Sequence, residues 1–231
     1  MDSAAGTTLR ILCTNGLKSV FAALDEDLRA TIGADFTADF GSTKKFTDRI
    51  AGGDVPDLAI LTDEAVDALI AQGRLAHHRI DVAKSFIGVA VRQGAPRPDI
   101  ATPEAFVRTL KSAKSIARSR LGASGVHMAG LIDRLGLADV VADKIHVYDG
   151  YAGQACANGE VEIAIQQISE LMPVDGLDIV GPLPGELQKV TMFSAGIGAS
   201  TRHRAAVEAL VASLKSERRA SVLRAKGLEP A

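Results

Sequence analysis

A chain of 231 residues is long enough for one large domain or for two smaller lobes. Hydrophobic residues make up 47% of it and charged residues 23%, as in ordinary globular proteins. The net charge of −2, with scattered lysines and arginines, excludes the basic footprint of a nucleic-acid-binding protein. Aromatic residues make up only 4% and tryptophan is absent, so stacking platforms for bases or sugars are scarce.

In the first third of the chain, apolar runs alternate with segments of helical period. Each run is predicted to be a strand and each segment after it a helix, in the order Leu9–Thr14, Leu17–Gly33, Asp35–Phe40, Thr43–Gly53, Asp57–Thr62 and Asp63–Leu75. His77 and His78 follow and are predicted to form an exposed turn.

The middle of the chain repeats the alternation. A strand is predicted at Ser85–Gly94, and a helix follows at Thr102–Lys114 with Thr102 as its N-cap. The later segments are predicted as strand, helix, strand, helix and strand, in the order Ser115–Ser119, Gly122–Leu137, Lys144–Asp149, Gly150–Glu160 and Val161–Leu171.

Two further extended runs, Leu177–Pro184 and Lys189–Ala199, precede a helical end. That end is predicted to break at Lys215–Ser216 and to stop at Gly227 and Pro230. Alternating strands and helices predict an α/β fold in which helices flank a mostly parallel sheet. Two such halves in a chain of this length predict two lobes with a cleft between them.

Small polar residues stand where two strands of the first half end. Asn15 and Gly16 follow the first strand, and Ser42 and Thr43 follow the second strand, just before Lys44 and Lys45. A helix N-terminus presents unpaired N–H groups and the positive end of its dipole, so it favours anions. The alternative is that Ser42 or Thr43 only caps its helix and that the two lysines are solvated.

The second half has two comparable corners. Ser124 and Gly125 open one helix, with His127 in its first turn, and Gln167 ends the strand predicted within Val161–Leu171. Four such corners, two in each half, predict a small anion held by neutral donors in the cleft. His127 has the alternative role of a surface or capping residue.

Motifs for other chemistry are missing from the sequence. The five histidines are too dispersed for a metal motif, and no phosphate-binding loop, G-x-S-x-G or H-E-x-x-H motif occurs. Cys13 and Cys156 are predicted to be free, partly buried thiols. We therefore expect neither a metal nor a cofactor.

Four segments resemble the molybdate-binding type of periplasmic solute-binding protein. They are LRILCTNGLKSVFAAL, FGSTKKFTDRIAGGDVPDLAILTDEAVDALIAQGRL, GASGVHMAGLIDRLGL and GEVEIAIQQISEL, and the most specific part is Ile50 to Ile60. The resemblance implies a two-lobed type II periplasmic-binding-protein fold that closes around an anion by a hinge. It implies lobes at 1–82 with 189–231 and at 83–188, with hinge crossovers near 81–90 and 186–195.

The ligand residues of that family are only partly present. Thr14–Leu17 reads Thr-Asn-Gly-Leu where molybdate binders have Ala-Ala-Ser-Leu, and Gly41–Thr43 stands where they have two serines. Gln167 stands where they have a tyrosine. These departures count against molybdate as the ligand. In them the chain resembles a branch of the superfamily that includes aconitate isomerase.

Two functions follow from this resemblance. The first is binding of an organic carboxylate or an oxyanion as a solute-binding protein. Its predicted ligand residues are Asn15, Gly16, Ser42, Thr43, Lys44, Ser124, Gly125 and Gln167. The alternative is an isomerase that shifts a double bond in an unsaturated polycarboxylic acid such as aconitate, with Lys45 and His127 as its catalytic residues.

The predicted partners follow from the same resemblance. They are a small anionic ligand and, if the protein serves transport, an ABC permease; neither nucleic acid nor a membrane segment is expected. The start of the chain shows no basic region followed by an apolar one. The localisation therefore stays open between the periplasm, if a signal peptide was removed, and the cytoplasm, if the chain is complete.

Overall fold

The computed structural model describes residues 8–231, which fold into two compact units. The first unit contains the residues up to Lys84 together with Thr191–Ala231, and the second contains Ser85–Val190. The lobe boundaries and hinge crossovers given above stay a prediction. The expectation about a signal peptide falls largely on residues 1–7, outside the described residues.

The first unit is built on a six-stranded sheet with the strand order β11-β4-β10-β3-β1-β2. Its strands are β1 (Thr8–Thr14), β2 (Asp35–Gly41), β3 (Leu58–Thr62), β4 (Leu75–Ser85), β10 (Thr191–Gly198) and β11 (Leu228–Pro230). Its helices are α1 (Lys18–Ile32), α2 (Thr43–Ala51), α3 (Asp63–Ala71), α9 (Arg204–Leu214) and α10 (Glu217–Ala225). Strand β1 runs parallel to β2 and β3, and β10 runs antiparallel to β3.

The second unit is built on a five-stranded sheet with the strand order β7-β6-β8-β5-β9. Its strands are β5 (Ile87–Arg92), β6 (Ile116–Ser119), β7 (Ile145–Tyr148), β8 (Ile163–Gln167) and β9 (Leu177–Pro182). Its helices are α4 (Pro103–Ser112), α5 (Ala123–Arg134), α6 (Ala138–Val141), α7 (Ala152–Ala157) and α8 (Ile168–Leu171). Its parallel part is β6 with β7 and β8, because β5 pairs antiparallel with both β8 and β9.

Each sheet is buried on both faces. Along β1, Leu9, Ile11 and Cys13 join one core cluster of the first unit while Leu12 joins the other. Successive side chains of a strand point to opposite faces, so a continuous apolar run is what a sheet covered on both sides requires. The helices close both faces, and the predicted α/β class is confirmed.

Two strands of the first unit lie where the sequence predicted none. The prediction of an exposed turn at His77 and His78 is wrong, because both residues lie inside β4, with exposed side chains. The end of the chain also forms a strand, β11, where only a stop was predicted. Both strands owe their conformation to neighbours that are distant in sequence, and Pro230 is tolerated because β11 lies at the sheet edge.

The segment that carries the most specific resemblance has a structural role at Asp57. Its carboxylate accepts hydrogen bonds from the main-chain N–H of Arg10 at 2.8 Å and from the hydroxyl of Thr201 at 2.5 Å. Asp57 thereby joins β1, the start of β3 and the loop after β10. Both oxygens of this carboxylate are therefore engaged in supporting the sheet.

Candidate functional site

Two of the predicted corners lie side by side in the first unit. Thr14 at the end of β1 is in register with Gly41 at the end of β2, and the two strands are parallel. The connections that follow therefore leave the same edge of the sheet. This is the carboxyl edge, where open α/β sheets bind ligands.

Asn15 and Gly16 begin a short 3₁₀ turn between β1 and α1. The turn covers Asn15–Leu17, and the helix starts at Lys18, one residue later than predicted. Gly16 is buried and Asn15 is half-buried. Main-chain N–H groups of this first turn have no acceptor within the helix, so they are available to an anion.

Ser42 and Thr43 both take part in local hydrogen bonds. Ser42 is the N-cap of α2, and its Oγ accepts a hydrogen bond from the N–H of Lys45 at 3.3 Å. The Oγ1 of Thr43 accepts one from the N–H of Thr62 at 3.4 Å. The capping role predicted as the alternative is therefore present, and each hydroxyl keeps its own proton for donation to a ligand.

The two lysines of this corner have different surroundings. Lys44 forms an ion pair with Asp48 one turn along α2 at 2.5 Å, and both side chains are 61% exposed. The stem of Lys45 instead lies close to Gly41 at the end of β2, and its ammonium group is 5.6 Å from the centre of the Phe46 ring. Among residues 8–231, no carboxylate pairs with Lys45, so its positive charge stays available at this edge.

The third corner, between β6 and α5, contains two buried hydroxyls without a partner. The Oγ atoms of Ser119 and Ser124 have no hydrogen-bond partner in the described chain, and these residues are 5% and 1% exposed. Glycine is required beside them, because a Cβ on Gly125 would lie 1.9 Å from the carbonyl oxygen of Ser119. The corner therefore brings main-chain N–H groups and two hydroxyl donors to the start of a 12-residue helix.

Arg118 places a positive charge beside this corner. The Nη1 of Arg118 donates hydrogen bonds to the carbonyl oxygens of Ser119 at 3.2 Å and Gly125 at 3.3 Å, and its Nε is buried without a partner. Burial lowers the pKa of Arg118, repulsion from Arg120 acts in the same direction, and Asp133 opposes both. An arginine keeps its charge even so, and this one raises the potential near the N-terminus of α5.

The fourth corner, at the end of β8, is a buried polar network. Gln167 is 2% exposed, and its Oε1 accepts a hydrogen bond from the Oγ of Ser85 at 2.8 Å. The Oγ atoms of Ser85 and Ser169 are 3.5 Å apart. Because β8 runs parallel to β6, Gln167 leaves the sheet at the same edge as Ser119.

His127 is held by a contact away from the helix start. Its Nε2 lies 2.9 Å from the carbonyl oxygen of Leu187, which can only accept, so this nitrogen carries the proton. The contact joins α5 to the segment after β9. Only Nδ1 remains for any other role.

Three residues near these corners were missed as site candidates: Arg118, Ser119 and Glu170. Ser119 ends a strand in front of a glycine-rich turn, and that position was a usable signal. Arg118 and Glu170 gave none, because their significance depends on burial.

In the part of the chain that the structure describes, no three His, Cys, Asp or Glu side chains are grouped so that they could hold a metal ion. No helix of residues 8–231 combines the length and apolar character needed to cross a membrane.

The sequence profile of the family described as bacterial extracellular solute-binding protein matches residues 9–229. The chain belongs to this family. The resemblance predicted from the four segments is thereby confirmed, and with it the assignment as a solute-binding protein. Solute-binding proteins bind small ligands. The sequence predicted a small ligand as a partner of this chain, in agreement with its family.

A curated relative of this chain is an aconitate isomerase from a Pseudomonas species. It is 34% identical over 97% of this chain and 88% of its own length. That branch of the superfamily is the one indicated by the departures at Asn15, Ser42 and Gln167.

Solved structures of solute-binding proteins have the same fold. The periplasmic molybdate-binding protein of Azotobacter vinelandii matches with a TM-score of 0.80 at 18% identity, over 96% of this chain and 99% of that one. The sulfate-binding protein of Mycobacterium tuberculosis matches with a TM-score of 0.77 at 14% identity, over 97% and 87%. At these identities the likeness concerns the fold alone.

Proposed function

We propose that this solute-binding protein binds a small anion, an organic carboxylate or an oxyanion, at helix N-termini of its two units. The observation that carries the proposal is the pair of buried, unpartnered hydroxyls of Ser119 and Ser124 at the start of α5. A buried donor without an acceptor costs about 1–3 kcal/mol, and an anionic oxygen supplies the acceptor. The molybdate-binding and sulfate-binding neighbours are consistent with such a ligand.

The first unit supplies the second set of donors in this proposal. Asn15, Gly16, Ser42 and Thr43 lie at one edge of its sheet, with the unpaired charge of Lys45 beside them. Lys44 was also predicted as a ligand residue. Because Lys44 forms an ion pair with Asp48, it is the weaker candidate of the two lysines for binding the anion. That both sets act on one ligand in an interlobe cleft stays a prediction.

A positive charge stands near one corner of each unit and favours an anionic ligand there. Arg118 and Lys45 stand near two different corners, and neither has a carboxylate partner in the described residues. Hydrogen bonds to an ionised acceptor contribute about 1.5–3 kcal/mol each. Each of the two corners can therefore hold one anionic group.

The proposal is tested by a thermal-shift screen with molybdate, tungstate, sulfate, citrate and the aconitates, followed by calorimetry with the best anion. A ligand at 100 times its Kd stabilises the folded state by about 2.7 kcal/mol, so the melting temperature rises. We expect Ser124→Ala to weaken binding by roughly 10- to 100-fold, since it removes one charge-assisted donor.

The matched control is Ser112→Ala at the end of α4, where the hydroxyl already donates to the carbonyl of Thr109. It is expected to leave the affinity unchanged. If no anion changes the melting temperature, or if both variants bind like the parent protein, the anion site at α5 is wrong.

The second candidate function is an aconitate-type isomerase, favoured by the relative at 34% identity. A base removes a proton from the carbon next to one carboxylate, and the charge spreads over that carboxylate. The double bond then shifts, and the proton returns two carbons away. The reaction consumes no co-reactant. Lys45 is assigned to stabilise the negative charge that develops on that carboxylate, and Nδ1 of His127 is assigned to the proton transfer.

Proton spectra of trans-aconitate with the protein test this second candidate. We expect Lys45→Ala to lose most of the turnover and Lys44→Ala to keep it, because Lys44 is already paired with Asp48. Tight binding of aconitate without turnover in the parent protein would leave only the binding function. An ABC permease is the partner we propose in that case.

A further inference from the structure

The second unit contains a cavity of about 310 Å³ between α5, α6 and the paired strands β6 and β7. Pockets that bind small molecules begin at about this size, roughly 300 Å³. The cavity is distinct from the strand-to-helix corner described above, because neither Ser119 nor Ser124 lines it. It is therefore a second place in this unit with room for a small ligand.

Most of the cavity wall is apolar. Three alanines leave the space open, and three branched side chains form the wall behind it. Of the branched side chains, Ile132 and Val141 are buried and Ile145 is half-buried. The three alanines are Ala129 on α5, Ala138 on α6 and Ala142 just after it.

Arg118 brings unused hydrogen-bond donors to this cavity. Its Nη1 already donates to the carbonyl oxygens of Ser119 and Gly125. Its Nε is buried without a partner, and its Nη2 makes no hydrogen bond within residues 8–231. Nε and Nη2 lie on one edge of the guanidinium group, and two parallel donors of this kind bind a carboxylate in bidentate fashion. The unused edge of Arg118 therefore fits one carboxylate.

Asp133 brings a negative charge to the same cavity. Ala129, Ile132 and Asp133 are spaced by three and four residues, so they share one face of α5. The charge of Asp133 raises the pKa of Arg118, but no hydrogen bond joins the two side chains. Arg118 and Asp133 are the titratable residues of the cavity lining, and their charges cancel. The cavity therefore does not favour a simple anion.

We propose that this cavity binds a free aliphatic α-amino acid, with leucine as the representative ligand. Such a molecule carries a carboxylate for Arg118 and an ammonium group for Asp133. Its branched side chain packs against Ile132, Val141 and Ile145. A polar or charged side chain would lose its water against this wall without gaining a partner. This inference does not depend on the proposed anion site.

Leucine and two of its fragments test the assignment of the charged groups by calorimetry. Isocaproate has the leucine skeleton without the amino group, and isoamylamine has it without the carboxylate. We expect isoamylamine to bind roughly 10- to 100-fold more weakly than leucine, because it loses the charge-assisted bonds to Arg118. Isocaproate should lose only about 2- to 5-fold, because Asp133 is exposed and its ion pair is screened by water.

Two variants with matched controls test the location. Ala129→Leu fills the cavity and should abolish leucine binding, whereas Ala212→Leu on an exposed face of α9 should not change it. Asp133→Asn should weaken leucine binding about 2- to 5-fold and should not weaken isocaproate binding. Its control is Asp139→Asn, an exposed residue of α6 that does not line the cavity. Thermal melts of the free variants show that each one is folded.

NMR spectra of the parent protein locate the ligand without any substitution. We expect leucine to shift the amide resonances of Ala138 and Ala142, which are remote in sequence from the helix start at Ser124. The inference is wrong if leucine does not bind, if these two resonances stay in place, or if Ala129→Leu binds leucine like the parent protein. If isocaproate binds as tightly as leucine and Asp133→Asn has no effect, the amino acid assignment fails. None of these results bears on the anion site at Ser119 and Ser124.

Discussion

At the residue scale, the most specific sequence element of the chain turns out to support the sheet. Pro56 and Asp57 precede β3, and the Asp57 carboxylate joins Arg10 to Thr201. The resemblance at Ile50–Ile60 thus identified the family through a structural residue. The polar groups of the candidate site lie at other strand ends, where this chain departs from the molybdate binders.

We expect Asp57→Asn to lower the free energy of unfolding by about 1–3 kcal/mol. An asparagine side chain has only one oxygen that can accept a hydrogen bond. Its NH₂ group would therefore lie against one of the two donors that the carboxylate binds, and that donor would lose its acceptor. Urea unfolding measures the change. The matched control is Asp48→Asn, which breaks only the exposed pair with Lys44 and is expected to cost less than about 0.5 kcal/mol. Equal effects of the two variants would contradict this role of Asp57.

At the element scale, a side chain extends the pairing of β5 beyond its strand neighbours. The Oε1 of Gln188 accepts a hydrogen bond from the N–H of Ile87 at 3.0 Å, and its Nε2 donates one to the carbonyl of Ile87 at 2.8 Å. This side-chain amide makes the two hydrogen bonds that the main chain of a neighbouring strand residue would make. It ties the start of β5 to the segment that follows β9, near the His127 contact with Leu187.

Gln188→Ala is therefore expected to destabilise the second unit by about 1–3 kcal/mol and to speed amide exchange at Ile87, whose N–H loses its acceptor. Hydrogen exchange followed by NMR measures this directly. Gln154→Ala removes only an exposed hydrogen bond to Asn158 and serves as the control. Unchanged protection of Ile87 in Gln188→Ala would show that the amide is not its acceptor in solution.

At the scale of the whole molecule, each unit repeats one plan with its own cores. Apolar residues alternate between two clusters along the central strands of both sheets. Parallel strands in each unit then send their following turns to one sheet edge, where Ser42 and Thr43 lie in the first unit and Ser119 and Ser124 in the second. The anion proposal depends on this shared plan.

Part of the site could be predicted because it depends on local order. Small residues that follow an apolar run and precede a helical period indicate a strand-to-helix corner, and all four predicted corners lie at such positions in the structure. What each side chain does there could not be predicted. Ser42 accepts from its own helix, Lys44 is paired with Asp48, and Ser124 is buried without a partner.

The sequence by itself determined the α/β class, the family and the order of nearly every element, because hydrophobic periodicity and capping act over a few neighbouring residues. Only the tertiary structure decided that residues 75–85 and 228–230 form strands, since these segments depend on pairing partners far along the chain. It also decided which polar groups are buried. The burial of Glu170, Ser119 and the Nε of Arg118 arises from elements that the sequence does not place beside them, and burial is what gives these groups their chemistry.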